Sequence, residues 1–359
     1  AAKEPLLICG GGPVIAGAEA ELVALAELLE APVATTVSGQ GAIADDHPLA
    51  VGVVGSNGGV VETREIVLGA DLVCFVGCRA GSVTTERWRY PEPGKARIVQ
   101  IDADPAVLGA TYPAEVAVLG DARLTLSALL AVLRERMDQP PPRKRGRAAV
   151  AAAKQKKFAA FEELARSGER PIRPERVVAT LNALLPDDAI IVADPGTPCP
   201  YFSAFYRCNR TGRHVISNRA HGALGYSIAG AVGAQFGRPD AKVVSVMGDG
   251  SFGFACGELE TIVRLGLPIT FIVFSNASYG WIKAGQKTGY QGRYFSVDFS
   301  RTDHARVAEA FGLRAWRVED PEQLRPTLRK ALEASGPTLV DVVAQPLQEA
   351  RAPVSEWVA

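Results

Sequence analysis

Lys242-Val243-Val244-Ser245-Val246-Met247-Gly248-Asp249-Gly250-Ser251-Phe252-Gly253 is an apolar run that stops abruptly at a cluster of glycines. A β-branched apolar run bounded by turn residues reads as a buried strand, and residues 257–265 beyond it have helical spacing. The same alternation runs along most of the chain. Strands are expected over 6–9, 32–37, 72–76, 97–101, 189–193, 242–247, 268–275 and 338–344. Helices are expected over 18–30, with Leu22, Leu25, Leu28 and Leu29 on one face, and over 122–136, 174–185, 224–235, 303–311 and 321–334. Alternating β and α segments with wholly apolar strands predict an α/β protein made of doubly wound, mainly parallel sheets.

A chain of 359 residues has room for two such domains at ~150 residues each. Lys+Arg and Asp+Glu both number 39, so the basic excess that nucleic-acid binding requires is missing. No apolar run approaches the ~18 residues of a membrane span, and the start carries no signal-peptide pattern. The six cysteines are scattered without a CxxC pair, and the four histidines have no metal-ligand spacing. The cysteines therefore read as small buried apolar residues of a reducing compartment, with a cytoplasmic location expected. Glycine, 36 of 359, is above the usual ~7%, which points to tight turns or to backbone lying close to a ligand.

Composition changes at Pro140-Pro141-Pro142, which leads into Arg143, Lys144, Arg145 and Arg147, then Lys154, Lys156 and Lys157. Such a run either contacts an anionic surface or forms a solvated linker entering a charged helix; neutral overall charge supports the linker. The domain boundary is placed between residues 139 and 170.

Gly248, Gly250 and Gly253 satisfy the G-x-G-x-x-G string of dinucleotide sites. Two features oppose that reading. Asp249 would set a carboxylate against a pyrophosphate, and the next strand ends in Ser275-Asn276 instead of the acidic residue that holds a ribose. A divalent cation removes the conflict, because Asp249 and Asn276 offer hard oxygen donors at neighbouring strand ends and phosphate oxygens complete an octahedral shell. The glycines, with Ser251, then bring backbone N–H groups to the phosphates. The alternative is a glycine-rich turn in which Asp249 caps a helix.

Gly248-Asp249-Gly250, then 25 residues (251–275), then Asn276 resembles the signature of thiamine diphosphate-dependent enzymes, in particular the acetolactate synthase, pyruvate oxidase and benzoylformate decarboxylase group. Cys256-Gly257-Glu258-Leu259-Glu260-Thr261 and Ser275-Asn276-Ala277-Ser278-Tyr279-Gly280 continue the match. The resemblance implies Mg2+ held by Asp249, Asn276 and the backbone carbonyl of Ser278, with Tyr279 and Gly280 beside the cofactor. Ser275 departs from relatives that carry a second Asn there. In His221-Gly222-Ala223-Leu224-Gly225-Tyr226-Ser227, the resemblance implies that Leu224 props the cofactor into a bent shape and that Gly222 contacts its pyrimidine ring. In Asp194-Pro195-Gly196-Thr197-Pro198, it implies diphosphate contacts from Gly196 and Thr197.

On this resemblance, residues 1–138 are similar to the family's central domain, 139–170 are linker and charged helix, and 171–359 are the diphosphate-binding domain with a C-terminal tail. Arg79 matches an arginine of flavin-containing relatives, which leaves FAD an open question. The activity implied is that of a lyase or transferase acting on a 2-oxo acid or related carbonyl compound, in an oligomer. The family's pyrimidine-binding domain has no counterpart in these residues, and Glu258 and Glu260 do not match its activating glutamate. The expectation is a chain inactive by itself, either a fragment or one subunit of a split enzyme. Two rival classes are a non-catalytic binding subunit and a nicotinamide-dependent oxidoreductase. Trp281, Ile282 and the residues up to Tyr290 either line the substrate side or pack on the core. The tail, residues 346–357, either closes over the site or frays.

Overall fold

The computed structural model describes residues 2–137, 143, 145–219, 221–347, 349 and 352–354. The chain divides into two compact units, one of Ala1–Ala159 with Arg207–His214, the other of Ala160–Tyr206 with Val215–Ala359. The division falls within the helix Gly146–Ala165. The first unit also takes in a segment from far along the chain, which a boundary drawn at 139–170 does not anticipate.

The first unit contains β1 (Pro5–Cys9), β2 (Val33–Thr35), β3 (Ala50–Val53), β4 (Leu72–Val76), β5 (Arg97–Asp102) and β6 (Val116–Leu119), in the order β3-β2-β1-β4-β5-β6. All are parallel. Successive residues of β1 serve opposite cores, Leu7 and Cys9 on one face, Leu6 and Ile8 on the other. Burial on both faces explains why this strand carries no polar residue. The second unit contains β7 (Ile190–Ala193), β8 (Val215–Ser217), β9 (Val243–Gly248), β10 (Thr270–Ser275), β11 (Arg314–Val318) and β12 (Thr338–Val343), in the order β11-β12-β10-β9-β7-β8. These too are all parallel. Two doubly wound α/β units are therefore present, as the alternation predicts.

Four strands were not anticipated: β3, β6, β8 and β11. They are the four sheet edges. One helix starts earlier than expected, since Asp249–Ala255 is helical directly after β9, with the turn Cys256–Glu258 and the helix Leu259–Arg264 behind it.

Among the described residues the basic run enters a helix, Gly146–Ala165, but its cations are not all solvated. Arg143 donates to the carbonyls of Leu29 at 3.0 Å and Ala2 at 2.6 Å, and Arg147 pairs with Glu30 at 2.9 Å. Lys154 donates to the carbonyls of Asp45 at 2.7 Å and His47 at 3.0 Å. Lys157 is buried, and burial lowers its ammonium to about 8 against the opposing pull of Asp45. Only Lys156 of the three lysines is exposed. These cations are tied to carbonyls and carboxylates of their own unit. Residues 138–142 and 144 lie outside the described residues.

Five of the six cysteines are buried as expected, but Cys256 is only half-buried, and none of the six is in a disulfide. Burial pushes the Cys74 thiol up to about 12 and that of Cys78 to about 11. Among the described residues no helix is long and apolar enough to cross a membrane.

Part of the glycine excess serves close backbone packing in the first unit. A Cβ on Gly10 would lie 2.1 Å from the carbonyl oxygen of Gly77, and one on Gly12 2.5 Å from the Gly77 Cα. Gly10→Ala is therefore expected to destabilise the chain by roughly 1–3 kcal/mol in urea unfolding, the usual cost of overpacking. Gly233, exposed inside the helix Tyr226–Gly237 with nothing near its missing Cβ, is the contrast. Gly233→Ala is expected to stabilise by up to about 1 kcal/mol. Equal effects at the two positions would contradict the packing argument.

Candidate active site

In the second unit the chain runs from β7 to the sheet edge at β8, then returns to β9 on the opposite side of β7. The order reverses between β7 and β9, and a crevice outside the carboxyl ends of such strands is where doubly wound sheets bind ligands. β7 leaves through the loop Pro195-Gly196-Thr197, whereas β9 ends at Gly248 and passes directly into the helix that begins at Asp249. Neighbouring β10 pairs with β9 in the register Phe274 to Gly248, which brings Asn276 beside Asp249.

Asp249 is buried. Its Oδ1 accepts the N–H of Gly250 at 2.8 Å, and its Oδ2 accepts those of Asn276 at 2.8 Å and Ala277 at 2.6 Å. Burial raises its pKa above the ordinary range, although the three N–H bonds and the nearby His304 pull the other way. The N-cap of the helix is Gly248, and two of the three donors come from the loop after β10. Asp249 is thus a tie between two strand ends, and the simple helix-cap alternative fails. Ala277 has a left-handed φ of 54°, the turn that points two successive N–H groups at one oxygen.

The other candidate residues gather around this tie. A Cβ on Gly196 would lie 3.5 Å from Leu224 Cδ2 and 3.5 Å from Ser251 Oγ. The nearest atom to one on Gly248 is Thr197 Oγ1 at 3.9 Å, and one on Gly280 would meet the same oxygen at 3.1 Å. Gly250 faces the Tyr279 ring, 2.7 Å from where its Cβ would be. Gly196, Thr197, Leu224, Gly248, Gly250, Ser251, Tyr279 and Gly280 therefore share one neighbourhood with Asp249 and Asn276. Gly222 stands apart: it is exposed, has a φ of 65°, and nothing approaches its missing Cβ.

Three observations test the fit to a diphosphate with a divalent cation. The expected metal donors, the Asp249 carboxylate, the Asn276 amide and the Ser278 carbonyl, are all oxygens, which suits Mg2+. Asn276 Oδ1 accepts the N–H and Oγ–H of Ser278, both at 3.2 Å, while its Nδ2 is buried without a partner. An orphaned donor is costly, and a phosphate oxygen or a bound water is the acceptor it lacks. Gly248 leaves room beside Thr197 Oγ1, which at 3.9 Å is the nearest atom to its missing Cβ. The residues fit the group. Among the described residues no three His, Cys, Asp or Glu side chains cluster as a metal site, so such a site depends on amide and carbonyl oxygens.

From the sequence, Asp194, the residue after the strand 189–193, has no role of its own. It is fully buried, and its Oδ2 accepts the Ser227 hydroxyl at 2.9 Å while Oδ1 accepts the Ser227 N–H at 3.3 Å. It joins the end of β7 to the start of the helix Tyr226–Gly237, and so joins the Gly196-Thr197 loop to the turn carrying Leu224. An acidic residue ending a wholly apolar strand was the available signal.

Ile282 and Tyr290 are 56% and 60% exposed, so the core-packing alternative fails for both; Trp281 is half-buried. Glu258 and Glu260 are exposed, and Glu260 pairs with Arg264 at 3.1 Å. In the tail, Leu347 is buried, 3.3 Å from where a Gly280 Cβ would be. Trp357 lies outside the described residues. Arg79, the residue the resemblance ties to flavin, is exposed just past β4.

Comparison with known proteins gives this arrangement a family. Residues 1–129 match the model described as thiamine pyrophosphate enzyme, central domain, and residues 194–342 match thiamine pyrophosphate enzyme, C-terminal TPP binding domain. The chain belongs to the thiamine pyrophosphate enzyme family. Thiamine pyrophosphate is the molecule called thiamine diphosphate above. The chain is 30% identical to a probable acetolactate synthase large subunit of Methanococcus aeolicus, over 96% of this chain and 59% of that protein. It is 32% identical to the acetolactate synthase large subunit of Parasynechococcus marenigrum (95% and 54%) and 31% identical to the pyruvate oxidase of Lactiplantibacillus plantarum (96% and 55%). It thus spans less than three fifths of the length of these relatives.

A pH prediction follows from Asp194. Burial lifts its carboxyl to about 6, against hydrogen bonds from Ser227, Gly225 and Tyr226. A pKa raised above the unfolded value of ~3.9 gives stability that is full below that value and lost as pH rises through about 6. The melting temperature of the parent chain is expected to fall relative to Asp194→Asn between pH 4 and 7. A difference that does not change with pH would contradict the assignment.

Proposed function

We propose that this chain is the cofactor-holding part of a thiamine diphosphate- and Mg2+-dependent enzyme that decarboxylates or cleaves a 2-oxo acid or related carbonyl compound and can pass the fragment to an acceptor. The observation that carries this reading is the meeting of Asp249 and Asn276 with Thr197, Leu224 and the glycines at the reversal between β7 and β9. A relative named for pyruvate, a 2-oxo acid, supports the substrate class.

Each residue has a defined task in this reading. Asp249, Asn276 and the Ser278 carbonyl hold Mg2+. Backbone N–H groups of Gly248, Gly250 and Ser251, with Gly196 and the Thr197 hydroxyl, bind the diphosphate, while Asn276 Nδ2 finds its missing acceptor. Leu224, half-buried against the Gly196 side, props the cofactor, with Tyr279 and Gly280 lining the opposite wall. When bound, thiamine diphosphate supplies a carbon nucleophile and an electron sink for the charge left by carbon–carbon cleavage. The protein's own contribution is to orient the cofactor and exclude water.

Among the described residues no carboxylate near this site suits proton transfer to the pyrimidine ring, which requires hydrogen-bond reach. We assign that task to a glutamate of a pyrimidine-binding domain, in the same polypeptide or a partner subunit, meeting the exposed turn at Gly222 and Ala223. A homo-oligomer in the cytoplasm accords with the same reading.

Calorimetry with thiamine diphosphate tests the binding claim. Removal of Mg2+, or Asp249→Ala, is expected to weaken cofactor affinity by at least about tenfold, as lost metal coordination does. Affinity indifferent to both would overturn the reading. For catalysis, the purified 359-residue chain is expected to bind cofactor yet turn over no 2-oxo acid above background. Substantial turnover by this chain alone would refute the external glutamate.

A further inference from the structure

His304 touches both segments that carry the proposed metal donors. Its Nδ1 lies 2.8 Å from the hydroxyl of Ser275, the residue before Asn276. Its ring packs edge-on against Phe252, with centroids 5.2 Å apart and planes at 81°. Phe252 is on the short helix that Asp249 begins.

The direction of the first bond can be worked out. Ser275 Oγ donates to Asp341 Oδ1 at 2.6 Å, which uses its only proton. The bond to His304 must therefore run from Nδ1–H to Ser275 Oγ. Asp341 is fully buried and also accepts the backbone N–H of His304 at 3.0 Å and Arg317 Nη1 at 2.6 Å. A buried network with every member satisfied is rigid, and removing one member leaves another orphaned.

The loop needs that rigidity. Beside it lies a cavity of about 190 Å3, lined by Asp249, Ser275, Asn276, Ala277, Lys283 and His304 among others, so packing alone does not fix the loop. Ala277 is held there in a left-handed conformation, which a residue with a Cβ adopts only at a cost. The loop's far flank is held by the Phe299 N–H, which donates to the Ala277 carbonyl at 3.0 Å, and by the bridge between Ser278 and Asp298, while its Asn276 end rests on the bonds from Ser275 and His304.

We infer that His304 and Ser275 are positioning residues that fix the spacing of Asp249 and Asn276, and thereby set which divalent cation the site prefers. The inference rests on the reading of Asp249, Asn276 and Ser278 as metal donors. Mg2+ demands near-ideal octahedral geometry at ~2.0–2.1 Å, whereas Ca2+ accepts looser sets at ~2.3–2.6 Å. A spacing held from both sides favours the smaller ion, and a slackened one relinquishes the preference.

The test measures Mg2+ and Ca2+ affinities of the complete protein at saturating thiamine diphosphate, by competition with Mn2+ followed by electron paramagnetic resonance. His304→Phe keeps a ring against Phe252 but has no donor, and Ser275→Ala removes the acceptor. Both are expected to weaken Mg2+ by on the order of tenfold and Ca2+ much less, so that the preference shrinks. His304→Asn, which retains an N–H near the Nδ1 position, is expected to restore most of it. A Mg2+/Ca2+ ratio equal to the parent's in both His304→Phe and Ser275→Ala overturns the inference, even where both ions bind more weakly. If one variant fails to fold, as its thermal melt shows, the other decides. Asp249→Ala in parallel separates the two levels of the argument. Loss of Mg2+ there upholds the donor assignment whatever His304 does, while unchanged Mg2+ affinity overturns both.

Discussion

A carboxylate taken out of water must find donors or a cation, and the second unit is organised around one such group. Asp249 sits where two parallel strands end side by side, and it takes one N–H from its own helix and two from the neighbouring loop. That tie fixes the helix start after β9 against the Asn276 loop after β10. The left-handed turn at Ala277 exists to make it. Even so, burial keeps the pKa of Asp249 raised. A carboxylate that still carries a desolvation cost after three hydrogen bonds is well placed to gain from a cation.

Asp194 makes the comparison useful. It lies at the end of β7, across the strand-order reversal from Asp249, and it is also buried. Its bonds go to the hydroxyl and N–H of Ser227, on the helix after the Leu224 turn. One acid therefore joins β7 to the turn that carries Leu224 and the other joins β9 to the loop that carries Asn276. Asp341 has a third variant of the role, accepting from Ser275, His304 and Arg317 behind the metal loop.

What could be read from the sequence followed burial. β1, β9 and β10 are buried along their whole length, so their apolar runs announced them. The four strands missed are the sheet edges. β6 is mostly exposed, β3 contains a glycine, and β11 carries Arg314 and Arg317. β3, β6 and β8 are mostly apolar but only three or four residues long, too short a run to stand out by its pattern. Asp249, Asn276 and the glycines stood out in the sequence because polar and small residues end otherwise apolar strands, and the fold brings them together. Asp194 and His304 did not, because their roles come from partners distant in sequence: Ser227 for one, Ser275 and Phe252 for the other. The basic run misled for the opposite reason. Composition counts charges but cannot show that Arg143, Arg147 and Lys154 are already spent on carbonyls and a carboxylate of their own unit.

The central claim is that the buried oxygens of Asp249 and Asn276 hold a divalent cation beneath a diphosphate. The most direct check is a crystal structure grown with thiamine diphosphate and Mn2+, with the ion located by its anomalous signal. The account predicts one peak within coordination distance of an Asp249 carboxylate oxygen, Asn276 Oδ1 and the Ser278 carbonyl, with phosphate oxygens completing the shell. A cofactor bound there with no ion, or an ion away from Asp249, would contradict it.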